Sequence, residues 1–183
     1  MFLDMKDSTH IAEQLGHVQY FELLQQYYEL MSAAFIAHQA EVYQYIGDEV
    51  VVSWPVPKGL ERNDCINCFL ALKARFGQQA AVFNQRFGHV PDFKAGMHLG
   101  EVTTGEIGAL KKEIVFTGDV LNTTARIQAL CKEHQVDLII SEALLRQLEK
   151  PQAISTRSIG ELTLKGKSQR VHLYAVGTDN DDV

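Results

Sequence analysis

Large apolar side chains recur every three or four residues in two long segments of the chain, 19–38 and 62–87. This spacing is typical of helices that bury one face, so both segments are predicted to be helical. In the first helix we expect the buried stripe to consist of Phe21, Leu24, Tyr28, Met31 and Phe35.

β-Branched and aromatic residues concentrate in shorter segments, which are predicted to be strands. Two of these segments, 41–46 and 49–54, flank a Gly-Asp pair and predict a β-hairpin with Gly47 and Asp48 at its tip. The segment 100–108 is punctuated by glycine and rich in Thr and Val. Further strands are predicted at 2–3, 93–99, 114–116, 138–140, 162–164 and 171–176, with a helix at 119–132, a short helix capped by Ser141, and a hairpin turn at Gly166-Lys167.

The order of these elements predicts an α+β fold. It is β-α-β-β-α-β, the ferredoxin-like pattern, followed by a small C-terminal α/β extension. The chain has no internal repeat and no linker, so we expect one domain over 1–177 and an acidic tail at 178–183. A first strand usually has about five or six residues, but only Phe2 and Leu3 precede Asp4. We therefore expect a fragment of a longer protein, with an upstream sensor or membrane segment.

Charge excludes some partners. The chain has 183 residues, with 17 Lys and Arg against 23 Asp and Glu, which gives a net charge of −6. This balance argues against a protein that binds nucleic acid or anionic membranes over a broad surface. An RNA-binding sheet on the same topology would also need a basic surface and exposed aromatic residues. No apolar run approaches the roughly 18 residues that span a bilayer, and the N-terminus does not resemble a signal peptide.

The three cysteines predict a reducing, cytoplasmic setting, because their number is small and odd. Cys65 and Cys68 form a C-x-x-C pair, but no second ligand pair follows at the spacing that zinc needs. The pair also continues the apolar period of the second helix. We therefore expect both thiols to lie in the core.

Two carboxylates occupy places that the predicted fold can bring together. Asp4 ends the first strand and Asp48 lies at the hairpin tip, and these elements are neighbours in a βαββαβ core. Carboxylate oxygens suit Mg²⁺, which keeps open positions for phosphate oxygens. The alternative is that Asp4 caps a helix and Asp48 serves only the turn. A short polar turn follows Asp4, and its backbone N–H groups are placed to cradle a polyphosphate. The turn consists of Lys6, Asp7, Ser8 and Thr9.

A second polar cluster lies on the predicted helix that begins near Asp119. Asn122 and Arg126 are four residues apart and therefore share one face, an arrangement that suits a phosphate or a ribose. The alternative is a solvated face with an ordinary surface ion pair. Lys165, in the last hairpin, either points at a phosphate or is a plain turn lysine.

Five segments, in this order, resemble the class III nucleotidyl cyclase catalytic domain, the adenylyl and guanylyl cyclase family. The resemblance covers nearly the whole chain. It implies Mg²⁺-dependent cyclisation of a nucleoside triphosphate, with release of pyrophosphate. The segments are 2–9, Tyr45-Ile46-Gly47-Asp48, Gly96-Met97-His98-Leu99-Gly100-Glu101-Val102, 118–126 and Leu164-Lys165-Gly166.

The resemblance also implies roles for the first polar group. Asp4 and Asp48 correspond to the family's two metal-binding aspartates, and Met5 would add its backbone carbonyl. Two Mg²⁺ ions per site are implied, with Mn²⁺ as a substitute. Lys94 matches a basic residue that contacts the triphosphate.

The remaining roles concern the ribose, the transition state and the base. Asn122 resembles the asparagine that orients the ribose, and Arg126 and Lys165 resemble the pair that stabilises the transition state. Adenylyl cyclases usually place Lys and Asp or Thr at the positions of Gln44 and Val115, and guanylyl cyclases usually place Glu and Cys there. Gln44 can pair with either purine edge, and ATP is favoured over GTP because adenylyl cyclases dominate the bacterial-type members that depart from the usual purine pair.

The resemblance further implies a homodimer with shared active sites. In the family, the metal-binding aspartates of one chain face the asparagine and arginine of the other. A non-catalytic relative that only binds nucleotide or dimerises is the main alternative. The presence of Asp4, Asp48, Asn122, Arg126 and Lys165 together favours an enzyme.

Overall fold

A computed structural model describes residues 1–149, 154–163 and 170–178 of the chain. Its strands are β1 (Phe2–Met5), β2 (Glu41–Ile46), β3 (Glu49–Ser53), β4 (Phe93–Met97), β5 (Thr103–Ile107), β6 (Glu113–Thr117), β7 (Leu138–Ser141), β8 (Ile154–Thr163) and β9 (Arg170–Thr178). Its helices are α1 (Ser8–Ala37), α2 (Val56–Leu60), α3 (Asp64–Phe87), α4 (Asp119–His134) and α5 (Glu142–Leu145), with a 3₁₀ turn at Glu61–Asn63.

The described residues divide into two units. The first contains Met1–Ala95 and 148–149, and the second contains Gly96–Gln147, 154–163 and 170–178. The boundary falls within β4, after Ala95.

The first unit contains the predicted βαββαβ core. Its strand order is β2-β3-β1-β4, and β3 pairs antiparallel with both β1 and β2. Helix α1 connects β1 to β2, and α3 leads from the hairpin to β4. The predicted α+β class and the position of β1 beside the hairpin are therefore confirmed.

An aromatic cluster forms the centre of this unit. Tyr27 of α1, Phe76 of α3 and Phe93 of β4 are buried. The ring centroids are 5.2 Å apart both for Tyr27 and Phe76 and for Phe76 and Phe93, in edge-to-face geometry. Phe69 adds a perpendicular contact with Phe93 at 5.7 Å. Such pairs contribute roughly 0.5–1.5 kcal/mol each beyond their burial, so the cluster fixes both helices on the sheet.

Helix α1 begins at Ser8, well before the predicted start at 19. Gly16, with φ 71° and ψ 168°, interrupts it. Within α1, Ile11 is the only buried residue before Gly16. The first part of the helix therefore has no apolar period from which a helix could be predicted. The prediction of a turn was thus wrong for Ser8 and Thr9, which are helical.

The buried face of α1 differs in part from the predicted stripe. Met31 and Phe35 are buried as expected, but Leu23 and Tyr27 are fully buried while Phe21 is 61% exposed. Apolar residues are adjacent at 23–24 and 27–28, so two stripes one residue apart have the same period. Packing against α3 selects between them.

The second unit contains further strands and a buried apolar cluster. Its strands β7, β9 and β8 pair antiparallel in that order, and β5 pairs with β6 in a separate two-stranded sheet. Helix α4 contributes Ile127 and Cys131 to a buried cluster with Ile139 and Leu173.

Close packing of α4 requires glycine at position 96. A Cβ atom on Gly96 would lie 2.4 Å from the backbone nitrogen of Gln128 and 2.7 Å from its Cα. These atoms belong to helix backbone and cannot move aside without shifting the helix. The glycine therefore sets how closely α4 approaches residue 96.

Three elements differ from the prediction. Strand β5 was not predicted, because all five of its residues are exposed and no apolar alternation marks it. Helix α2 begins at Val56, where prolines were expected only to end a strand; Pro57 lies in its first turn, which tolerates proline. Strand β8 begins at Ile154 rather than at 162. The predicted turn at Gly166-Lys167 lies outside the described residues.

All three cysteines are buried. Burial raises the pKa of Cys65 to about 11 and that of Cys68 to about 12, so both remain thiols at neutral pH. This confirms the prediction that they belong to the core. None of the helices in the described part of the chain is long and apolar enough to cross a membrane.

The packing at Gly96 predicts a large cost for an added methyl group. We expect Gly96→Ala to lower the free energy of unfolding by about 1–3 kcal/mol, measured by urea denaturation. Gly77→Ala is the matched control, because a Cβ atom there meets nothing within 4 Å. On an exposed helix this change should raise stability by roughly 0.5–1 kcal/mol. Equal effects of the two substitutions would contradict the packing argument.

Candidate active site

The pairing of β1 with β3 brings two carboxylates together. Asp4 lies opposite Glu49 in the antiparallel register, and Asp48 immediately precedes Glu49 at the hairpin tip. The carboxyl groups of Asp4 and Asp48 lie within hydrogen-bonding reach of each other. The structure thus joins the two residues that were predicted to converge.

The local electrostatics disfavour negative charge. Burial raises the pKa of Asp48, and the neighbouring Asp4 raises it further, against the lowering effect of a hydrogen bond with Ser8. Burial, Asp4 and Asp48 also raise the pKa of Glu49, which Lys94 partly opposes. A bound cation would offset this crowding of negative charge.

Lys94 supplies positive charge at the same place. Its Nζ atom donates to Oδ2 of Asp4 at 2.5 Å, and the two side chains are only 16% and 26% exposed. The expected partner of Lys94 was a triphosphate. In this structure the ammonium group is instead the counter-ion of Asp4.

The structure places the four residues of the predicted phosphate-binding turn in different surroundings. The backbone N–H of Lys6 donates to the carbonyl of Asp92 at 2.8 Å, and its ammonium group pairs with the Asp92 carboxylate at 2.6 Å. Lys6 is therefore engaged elsewhere, and the expectation that its N–H faces a phosphate is corrected. Asp7 adopts a left-handed conformation at the start of α1, and Thr9 is exposed in the first turn. Ser8 is joined to the site through its hydrogen bond with Asp48.

Met5 follows Asp4 in β1, and its side chain is 2% exposed. Burial of this side chain anchors the end of the strand in the core. The backbone next to Asp4 is thereby held in place.

Sequence analysis missed one residue next to this group. Tyr28 was assigned to the buried stripe of α1, but its hydroxyl group donates to the carbonyl of Gly47 at 2.8 Å. It also lies 3.2 Å from the carbonyl of Glu49. One signal for this role was present in the sequence. Position 28 carries a tyrosine, although a phenylalanine would satisfy the helical period equally well.

The second polar group lies on α4. Asn122 and Arg126 are both exposed, and the residues one step further along the helix, Thr123 and Ile127, are buried. Asn122 and Arg126 therefore share one face of α4, as their spacing predicted, and that face is exposed.

The glycine-rich segments set where α4 begins. Gly118 has φ 150°, and a Cβ atom there would lie 2.9 Å from the carbonyl oxygen of Glu101. A side chain at that position is thus excluded both by conformation and by contact.

His98 has a structural role within the second unit. Its Nδ1 atom lies 2.7 Å from Oγ of Ser141, and burial lowers the pKa of the imidazole against the opposing effect of Asp119. Ser141 caps α5, as predicted, by accepting from the N–H of Leu144 at 3.4 Å. The imidazole is therefore held neutral beside a capping serine.

The two base-selecting candidates are placed as follows. Gln44 is exposed on β2, beside an irregularity in the register with β3. Val115 is half-buried on β6, opposite Gly105. Lys165, the remaining predicted site residue, lies outside the described residues.

Among the described residues, no group of three or more His, Cys, Asp or Glu side chains could hold a metal ion by itself. The pair of Asp4 and Asp48 therefore suits a cation that takes its other ligands from water, backbone carbonyls or substrate phosphates. Mg²⁺ is such a cation, because it usually binds through one or two carboxylates and phosphate oxygens.

A groove of about 640 Å³ between α1 and α3 is a separate feature. Its polar residues partly bond one another, since Arg86 donates to the amide oxygen of Gln26 at 2.9 Å and to the carboxylate of Glu22 at 3.3 Å. Neither Asp4 nor Asp48 lines it. The carboxylate pair is thus the better candidate for chemistry.

Comparison with solved structures supports the fold assignment. A bacterial light-regulated adenylyl cyclase superposes with a TM-score of 0.83 at 22% identity, over 96% of this chain and 50% of that chain. The adenylyl cyclase CyaB from P. aeruginosa gives a TM-score of 0.78 at 21% identity, over 100% of this chain and 94% of that chain. At these identities the likeness shows a shared fold.

Sequence comparison identifies the family. Adenylate cyclase 2 of Rhizobium meliloti is 30% identical over 176 residues, which are 96% of this chain and 48% of that protein. The chain thus spans about half or less of the relatives it matches. The model of the adenylate and guanylate cyclase catalytic domain matches residues 1–177. The chain therefore belongs to the adenylate and guanylate cyclase catalytic-domain family.

Proposed function

We propose that this chain cyclises ATP to 3′,5′-cyclic AMP and pyrophosphate. The observation that carries the proposal is the convergence of Asp4, Asp48 and Lys94 at the end of β1, in a member of the cyclase family. The reaction forms a bond between the ribose 3′-oxygen and the α-phosphorus. It breaks the bond from that phosphorus to the bridging oxygen, and it releases pyrophosphate and the hydroxyl proton.

The family is metal-dependent, and we assign the metal ligands here to Asp4, Asp48 and the backbone carbonyl of Met5. The carboxylates suit two Mg²⁺ ions, with Mn²⁺ as a substitute, because their mutual repulsion is relieved by a cation. Bound metal would lower the pKa of the 3′-hydroxyl and neutralise charge on the phosphates. Ser8 would hold the carboxylate of Asp48, and Lys94 would move its ammonium group from Asp4 to the triphosphate.

Three further residues would act on the nucleotide. Asn122 would orient the ribose, and Arg126 and Lys165 would stabilise the charge that develops on the transferring phosphoryl group. The exposed common face of Asn122 and Arg126 on α4 supports their assignment to a ligand.

The choice of ATP rests on the sequence relatives, because Gln44 does not by itself distinguish ATP from GTP. The relative at 30% identity is named as an adenylate cyclase. A guanylate cyclase domain from Catenaria anguillulae with the same fold was solved in complex with GTP, so GTP is the second candidate. Gln44 can pair with either base, while Val115 only shapes the pocket.

We further propose that the working unit is a homodimer in the cytoplasm. The proposed metal ligands Asp4 and Asp48 belong to the first unit, and Asn122 and Arg126 belong to the second. A two-fold pair of chains would close two equivalent sites, each with both groups of residues. A fungal guanylyl cyclase domain of this fold has been described as dimeric.

A product assay tests the proposed reaction. The purified chain, at increasing protein concentrations, is incubated with ATP or GTP and with Mg²⁺ or Mn²⁺, and the products are separated chromatographically. We expect cyclic AMP from ATP, and at least a hundredfold loss of turnover for Asp48→Ala, as an order of magnitude for a lost charged ligand. Cyclic GMP alone would assign the GTP alternative, and no cyclic product from any dimeric sample would reject catalysis.

Complementation tests the shared site. Asp48→Ala and Arg126→Ala chains should each be inactive, but a mixture should recover about a quarter of wild-type activity. Half of the dimers in a random mixture are heterodimers, and each of these has one intact site of two. The control mixture is Asp48→Ala with Asp4→Ala, which places one defect in every heterodimer site and should stay inactive. Equal inactivity of both mixtures, with chain exchange confirmed, would contradict the model.

The charge crowding predicts a gain in stability on neutralisation. The pKa of Asp48 is raised in the folded state, so ionised Asp48 destabilises the fold at pH values above that pKa, and the effect disappears as the pH falls below about 3.9. At pH 7, with a chelator present, the free energy of unfolding of Asp48→Asn should be about 0.5–1 kcal/mol higher than that of the wild type, measured by urea denaturation. The gain should shrink on acidification.

A net-charge control accompanies this measurement. Glu13→Gln neutralises one exposed carboxylate on α1 and should change stability much less. If Glu13→Gln stabilises as much as Asp48→Asn, the effect comes from the chain's net charge of −6 rather than from the carboxylate pair.

A further inference from the structure

A residue of α1 holds the tip of the hairpin. The hydroxyl group of Tyr28 donates to the carbonyl oxygen of Gly47 at 2.8 Å and lies 3.2 Å from the carbonyl oxygen of Glu49. These two carbonyls belong to the residues on either side of Asp48. One phenol therefore contacts the backbone before and after the proposed metal ligand.

The ring of Tyr28 is itself well fixed. It packs edge to face on Tyr45 of β2, with centroids 4.5 Å apart, and on Tyr27 at 5.2 Å. Tyr27 belongs to the buried aromatic cluster. The hydroxyl group is thus presented from a rigid helix rather than from a mobile loop.

The hairpin tip needs such a restraint for two reasons. Gly47 has φ 64° and no side chain to limit its conformation. Asp48 is repelled by Asp4, which favours movement of the tip away from β1. The hydrogen bond from Tyr28 to the carbonyl of Gly47, whose single proton the more distant carbonyl of Glu49 can share, opposes that movement.

Tyr28 retains its proton under working conditions. Burial raises the pKa of the phenol, and the charge of Asp48 raises it further. The group therefore remains a donor, which is the form that two carbonyl oxygens require.

We propose that Tyr28 is a positioning residue for metal binding, which fixes the backbone around Asp48 so that its carboxylate meets that of Asp4. The inference rests on the proposed function of these two carboxylates as metal ligands. In this role Tyr28 acts through the backbone on either side of Asp48.

Tyr28→Phe tests the inference, because it keeps the ring against Tyr45 and removes only the donor. Binding of Mn²⁺ to the protein with a non-cyclisable ATP analogue is measured by the loss of the free-ion signal in electron paramagnetic resonance. We expect Mn²⁺ affinity to fall by about three- to tenfold, the size of one lost hydrogen bond. The Mn²⁺ concentration for half-maximal activity should rise by the same factor, with kcat at saturating metal little changed.

Ser32→Ala is the matched control. Ser32 lies one turn further along α1, and its hydroxyl group donates to the carbonyl of Tyr28 at 2.8 Å. The substitution removes a hydrogen bond of the same length from the same helix without touching the hairpin tip. It should leave Mn²⁺ affinity unchanged, and an equal loss in both variants would overturn the positioning role.

Two further variants separate the possible failures. If Asp48→Asn binds Mn²⁺ as well as the wild type does, the proposed metal site is wrong. If Asp48→Asn loses binding but Tyr28→Phe does not, the metal site stands and the inference on Tyr28 fails. Replacement of Tyr28 by 4-aminophenylalanine restores a donor and should recover affinity; a failure to recover it, in a protein with unchanged thermal unfolding, would also count against the inference.

Discussion

The antiparallel pairing of β1 with β3 is the constraint on which the candidate site depends. It places Asp4 opposite Glu49 and thereby next to the hairpin tip that carries Asp48. The two carboxylates are forty-four positions apart in the sequence, so the pair exists only when the sheet has formed. A slip of one residue in this register would turn Asp4 to the opposite face of the sheet, and the pair would be lost even if every residue remained.

The pairing of β1 with β3 brings negatively charged side chains close together, which is electrostatically unfavourable. Other contacts in the first unit offset this cost. Burial and mutual repulsion raise the pKa values of Asp48 and Glu49, while Lys94 and Ser8 provide local partners. The aromatic cluster of the same unit, where Tyr27, Phe76 and Phe93 are packed edge to face, adds to this compensation. A rigid core of this kind holds the sheet in register against the repulsion at its end. Stability and metal affinity are thus in opposition at Asp48.

The parts of this structure that could be predicted from sequence are those with a strong local signal. The hairpin, α3 and the shared face of Asn122 and Arg126 follow from period and turn chemistry that neighbouring residues determine. The start of α1 and strand β5 could not be predicted, because one begins in polar residues and the other is exposed throughout. The partners of Lys94 and Lys6 could not be predicted either. Each lysine forms an ion pair with a residue more than eighty positions away in the sequence, and the geometry of these pairs depends on tertiary packing.

The two polar groups are each built from contacts within one unit. Asp4 and Asp48 depend on β1, β3 and α1, whereas the face of α4 depends on glycines 96 and 118 and on the cluster around Ile127. Each group is therefore held by the packing of its own unit. Under the homodimer proposal, the remaining variable is the encounter of two chains. Any element that alters their association would then alter turnover without contact with either group, because the effective concentration of one half relative to the other sets the fraction of complete sites.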